Sequence, residues 1–128
     1  MEQKVLVRAV AERTTLSREE SADVTRAVLE GLADQLSDGE ARRLAADLPD
    51  ELAQQVQLPR RRRKGAHPVA ADDFVRQLSE RAGLTEDDAR AGAGAVLAAL
   101  REALSEEGYR HLVGQLPAGY TELEAAVG

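Results

Sequence analysis

Shifted against itself by 68 positions, the chain repeats: residues 5–56 lie over residues 73–124 without a gap, with identity at 15 of 52 positions. The matches include Glu12-Arg13 with Glu80-Arg81, Ala27-Val28-Leu29 with Ala95-Val96-Leu97, Leu32 with Leu100, and Leu36-Ser37 with Leu104-Ser105. They continue through Arg42 with Arg110, Leu44 with Leu112, and Leu48-Pro49 with Leu116-Pro117. Most are apolar residues at helical spacing or residues that reverse the chain between helices, so what recurs is a packing plan rather than a reaction centre. A unit of this size buries too little surface to be comfortably stable alone, and the expectation is two copies packed together as a pseudo-two-fold pair.

The hydrophobic fraction of 43% comes almost wholly from Ala, Leu and Val, and aromatics make up only 2%. That balance favours closely spaced helices over pleated sheets, so the expected class is all-α. The division is residues 1–57 as a first helical repeat, 58–72 as a basic Pro/Arg-rich linker and 73–128 as a second repeat of about four helices. Expected helices in the first copy cover about residues 4–13, 19–36, a short segment bearing Ala41, Leu44 and Ala45, and a fourth starting at Leu48-Pro49-Asp50-Glu51. The second copy should give 71–81, 86–104, 107–113 and 117–126. Ser17 followed by Glu20 reads as a capping box, Thr85 with Asp88 imitates it, and Gly83 occupies a left-handed helix end for which the first copy has Thr15. The second turn departs further, with Glu107-Gly108 replacing Gly39-Glu40.

The chain has no cysteine, which excludes disulfides and thiolate metal sites and is compatible with a reducing compartment. No apolar run approaches the ~20 residues of a membrane span, and no signal segment is evident. A cytoplasmic location without membrane association is expected. Of the two histidines, His67 falls in the linker and His111 has Arg43 as its counterpart, so no imidazole site is duplicated, and a solvated role is expected for both. Glu19-Glu20 and Asp87-Asp88 fall in first helical turns, where acids offset the helix dipole. No cofactor and no catalytic or metal-ligating residue is assigned. A metal enzyme built on carboxylates would need acids from several helices to converge on an apolar interior, and ranks last.

Ala91-Gly92-Ala93-Gly94-Ala95 lacks the lysine and hydroxyl of a phosphate loop and lies inside a helical pattern. Close approach of another helix, the long one of the first copy, explains its glycines better. The repeated polar residues Glu12, Arg13, Glu80, Arg81, Arg42 and Arg110 are either partner-facing or structural. For the Glu-Arg pairs the structural form is a helix end whose glutamate pairs with Arg8 or Arg76. Arg60, Arg61, Arg62, Arg63 and Lys64 are the strongest non-structural signal, a candidate polyanion contact. Removing these five from the 17 basic residues leaves 12 against 23 acidic, a net charge of about −11 for the rest, which repels a polyanion.

Phe74-Val75, Glu80-Arg81-Ala82-Gly83-Leu84, Ala95-Val96-Leu97-Ala98-Ala99-Leu100, Leu104-Ser105 and Gln115-Leu116-Pro117-Ala118-Gly119-Tyr120 together resemble the bacterial domain-of-unknown-function family numbered 2267. Arg26 to Leu32, Gly39-Glu40-Ala41 and Leu48-Pro49-Asp50-Glu51-Leu52 repeat the resemblance in the first copy. It implies a duplicated all-helical domain and brings no activity or catalytic residue. The first copy departs at Thr14-Thr15, and the Arg-rich linker is not part of the pattern. The functional expectation is a non-enzymatic helical interaction or scaffold module with an unknown protein partner or self-association. The alternative is a nucleic-acid-associated protein using residues 60–64.

Overall fold

The computed structural model describes residues 2–57 and 68–127, which form eight α-helices and no strand. They are α1 (Gln3–Glu12), α2 (Arg18–Asp34), α3 (Asp38–Ala46), α4 (Asp50–Gln57), α5 (Ala71–Ala82), α6 (Glu86–Ala103), α7 (Glu106–Gly114) and α8 (Tyr120–Val127). The all-helical expectation holds for these residues. Residues 60–64 and His67 lie outside them.

Each long helix opens on a side-chain cap. Ser17 Oγ accepts the Glu20 N–H at 3.1 Å while Glu20 Oε1 accepts the Ser17 N–H at 2.9 Å, the reciprocal pair anticipated from their spacing. Thr85 accepts from the Asp88 N–H, Ser37 from that of Glu40 and Ser105 from that of Gly108, so four helices start on a hydroxyl. The first helix of each half ends differently. Gly83 closes α5 at φ +68° in the left-handed region, which lacks the steric penalty of a Cβ there. At the end of α1 the Thr14 hydroxyl instead donates to Val10 O at 3.1 Å and accepts the Leu16 N–H at 3.3 Å.

Helix α5 starts at Ala71, as the expected helix over 71–81 has it, so the expected linker of 58–72 overlaps it by two residues. The last helix starts at Tyr120 rather than at Pro117, because Gly119 at φ +107° cannot continue a right-handed helix.

A single buried cluster takes residues from both halves, with Leu6, Leu29, Leu32, Leu97 and Leu100 all 0–1% exposed. Each such side chain contributes about 1.5–3 kcal/mol on leaving water. Helix α1 packs on α2 and also on α6; α5 packs on α6 and also on α2. Each half's core is thereby completed by the other half's first helix. The two long helices meet where a Cβ on Gly92 would lie 2.9 Å from Val24 Cγ1, so the close approach expected of that glycine is present. Gly31 serves α5 in the same way: a Cβ there would lie 2.6 Å from the Phe74 ring.

Candidate functional site

The repeated arginines at the ends of α1 and α5 reach across the halves at the surface. Arg13 Nη2 donates to Glu102 on α6, and its Nη1 donates to Ala9 O at 3.0 Å. Arg81 Nη1 lies 3.8 Å from Glu30 Oε2 on α2 and donates to Ala27 O at 3.5 Å. Both side chains therefore strap a short helix to the long helix of the opposite half. Glu12 and Glu80 are exposed and make no ion pair among the described residues. The expected pairing with Arg76 does not form, because Asp73 in the first turn of α5 holds that guanidinium at 3.1 Å. Arg42 is exposed, and Arg110 lies 3.4 Å from Glu106 on its own helix. These recurring residues do not converge on one site.

A different set does come together, where α3 faces α7. Leu36, Leu44, Leu104 and Leu112 line a gap of about 10 Å³ between these helices, with Glu40, Arg43, Asp47, Gly108 and His111 around it. Two polar pairs span the seam: Glu40 Oε2 lies 3.2 Å from His111 Nδ1, and Arg43 Nη2 lies 3.9 Å from Glu107 Oε1. His111 is thus partnered rather than merely solvated. The signal was present in the repeat, where Arg43 matches His111 and the order Gly39-Glu40 is exchanged for Glu107-Gly108. That exchange leaves one acid on each helix to meet one cationic or imidazole side chain on the other. Both pairs are partly exposed, and pairs of this kind contribute about 0–1 kcal/mol each.

Sequence periodicity also gave no notice of a buried polar triangle. Gln35 is 0% exposed just after α2, and its Nε2 donates to the Tyr120 hydroxyl at 2.9 Å while its Oε1 accepts the Val69 N–H at 2.9 Å. The Tyr120 hydroxyl donates to Val69 O at 2.6 Å. Val69, two residues ahead of α5, is held by both its backbone groups, tying α2 to α8. Burial pushes the Tyr120 phenol up to about 12, against the opposing effect of the Gln35 hydrogen bond. In the second half, Glu124 is 8% exposed and accepts from Arg101 Nη1 at 2.7 Å, beside a Tyr109 hydroxyl buried without a hydrogen-bond partner among the described residues. Burial, then the Glu124 charge, raises the Tyr109 phenol to about 12. The matched residues of the first half, Ala33, Ala41 and Val56, are buried and apolar.

Among the described residues no group of three or more Asp, Glu or His side chains is placed to hold a metal ion. None of their helices is long and apolar enough to cross a membrane. Fold and site together define an all-helical protein whose recurring polar residues lie on helix surfaces and at the joints between helices. The chain belongs to the family described as uncharacterized conserved protein DUF2267, matched over residues 3–123. No match is found among curated proteins.

Proposed function

We propose that the chain is a non-enzymatic helical interaction module, two copies of one four-helix unit related by an approximate two-fold axis, which receives a protein partner at the α3–α7 seam. The duplicated arrangement is supported by Val24 packing on Gly92, since residues beside a two-fold axis meet their own counterparts, here 68 positions apart. The crossing of α1 onto α6 and of α5 onto α2 is its second support. The functional role is carried by the seam itself: a leucine floor roofed by weak polar pairs, which a partner side chain can displace at little cost. Sedimentation and affinity capture with wild type and with Arg43→Glu test this. A defined complex, with itself or with another protein, that the variant loses while keeping its melting temperature supports the seam; a complex indifferent to the variant removes it.

Nucleic-acid association through residues 60–64 is the second reading, carried by five consecutive basic residues. Affinity that falls steeply with salt and disappears on changing Arg60 to Arg63 to serine would establish it. The net charge of about −11 on the rest of the chain works against it.

A further inference from the structure

The contacts that join the two halves differ in size from one side to the other. Residues 68 positions apart correspond, so the contact of Phe74 on α5 with Gly31 on α2 matches the places of Leu6 on α1 and Ala99 on α6. The larger side chain stands over the position without a Cβ, and the smaller one belongs with the methyl. Leu6 and Ala99 are both fully buried, at 0% exposure. Val24 meets Gly92, each the counterpart of the other. The Phe74 ring has little room to retreat, because it packs edge to face with Tyr120 at 5.5 Å and the Tyr120 hydroxyl is fixed by Gln35 and Val69.

Pairing a half with its own copy in the same geometry would lose this match. Two first halves would set Val24 against Val24 and leave Leu6 over Gly31 on each flank, a crowded axis between voids. Two second halves would set Gly92 against Gly92 and press Phe74 onto Ala99 on each flank, a void between collisions. Crowding and cavities both destabilise a close-packed interior, and a shift that relieves the one enlarges the other. We infer that, on the two-fold arrangement proposed above, the face between the halves is selective: a first half fits a second half and excludes another first half, and a second half excludes its own kind. Copies of the chain can therefore associate through this face only by exchanging unlike halves.

Substitutions in the full chain can imitate the like pairings, and urea unfolding reads their effect. Gly31→Ala reproduces the contact that two second halves would make, a phenylalanine over an alanine. Alanine is otherwise favoured over glycine inside a helix, so the collision shows as a change of sign. Gly31→Ala should lower the folding equilibrium constant about tenfold in the wild-type background. In the Phe74→Leu background it should raise the constant, because the pair then becomes leucine with alanine, as at positions 6 and 99. A rise in both backgrounds, or a fall in both, overturns the inference and leaves the two-fold arrangement standing. At the matching contact, Ala99→Gly should lower the constant and Leu6→Phe should restore part of the loss in the double variant. Additive effects at 6 and 99, beside an intact change of sign at 31, would remove the two-fold arrangement and the inference with it.

Discussion

The two long helices, α2 and α6, occupy matching registers yet meet different surroundings. Helix α2 buries one face, with Val24, Val28, Leu29 and Leu32 inside and Arg18, Glu19, Glu20, Asp23 and Arg26 exposed. Helix α6 is buried along nine consecutive residues, 92–100, and α8 packs closely on it. The difference is written in small residues: where α2 has Asp23, Val24, Arg26 and Glu30, α6 has Ala91, Gly92, Gly94 and Ala98. A helix that must be approached from several sides needs both an apolar circumference and a thin one, whereas a helix with one wet face needs neither. The same register plan therefore supports a peripheral helix in one half and a central helix in the other.

The sharpest way to break this contrast is to exchange residues at matching registers. Gly94→Arg gives α6 the residue of α2 and places an unpaired charge at a buried position, so a loss of about 4 kcal/mol or more is expected. Arg26→Ala on α2 should stay within about 0.5 kcal/mol, since Arg26 is half exposed and only 4.0 Å from Asp23. Urea unfolding of both variants measures the gap, and equal losses would dissolve the distinction between the two helices. Next, Gly92→Leu should cost about 2–3 kcal/mol through its collision with Val24, and Val24→Ala should recover part of that loss in the double variant. Independent, additive effects would place the collision elsewhere.

Gln35→Leu should cost about 2 kcal/mol by leaving the Val69 N–H without its acceptor, seen as faster amide exchange at the start of α5. The fourth outcome separates the halves by pH. Both strongly shifted tyrosines lie in the second half, where the first has Ala41 and Leu52. A phenol raised to about 12 when folded and near 10 when unfolded keeps its full contribution below pH 10 and loses it as pH rises through 12. Stability should therefore fall by about 2 kcal/mol per tyrosine across that window, and Tyr109→Phe should flatten its share of the fall. Calorimetric melts at pH 9 to 12 check the sign; a flat profile in wild type would contradict it. Smallest of all, Arg13→Ala and Arg81→Ala should each cost about 0–1 kcal/mol, being partly exposed straps.

Much of the fold was legible because helix formation is signalled locally. Ser17 and Glu20 lie three residues apart, Gly83 follows the last turn of α5, and Val24, Val28 and Leu32 recur every four residues. The last helix was misplaced at Pro117 because proline suits a first turn, and only the φ of Gly119 shows that the turn ends later. The polar contacts were less legible. Arg81 reaches Ala27 and Glu30 across more than fifty residues, and Gln35 meets Tyr120 across 85, separations that no local spacing encodes.

From the sequence alone come the helices, their caps, the recurrence at 68 residues and the small residues that require a close neighbour. Each depends on backbone propensity or apolar periodicity, which act over a few turns. Tertiary structure decided which neighbour arrived: α1 crossing to α6, Phe74 filling the space over Gly31, His111 turning to Glu40, and the Val69 backbone held between Gln35 and Tyr120. Those choices are made when buried surfaces and hydrogen-bond partners from distant segments must be satisfied together, and so they exist only in the packed molecule.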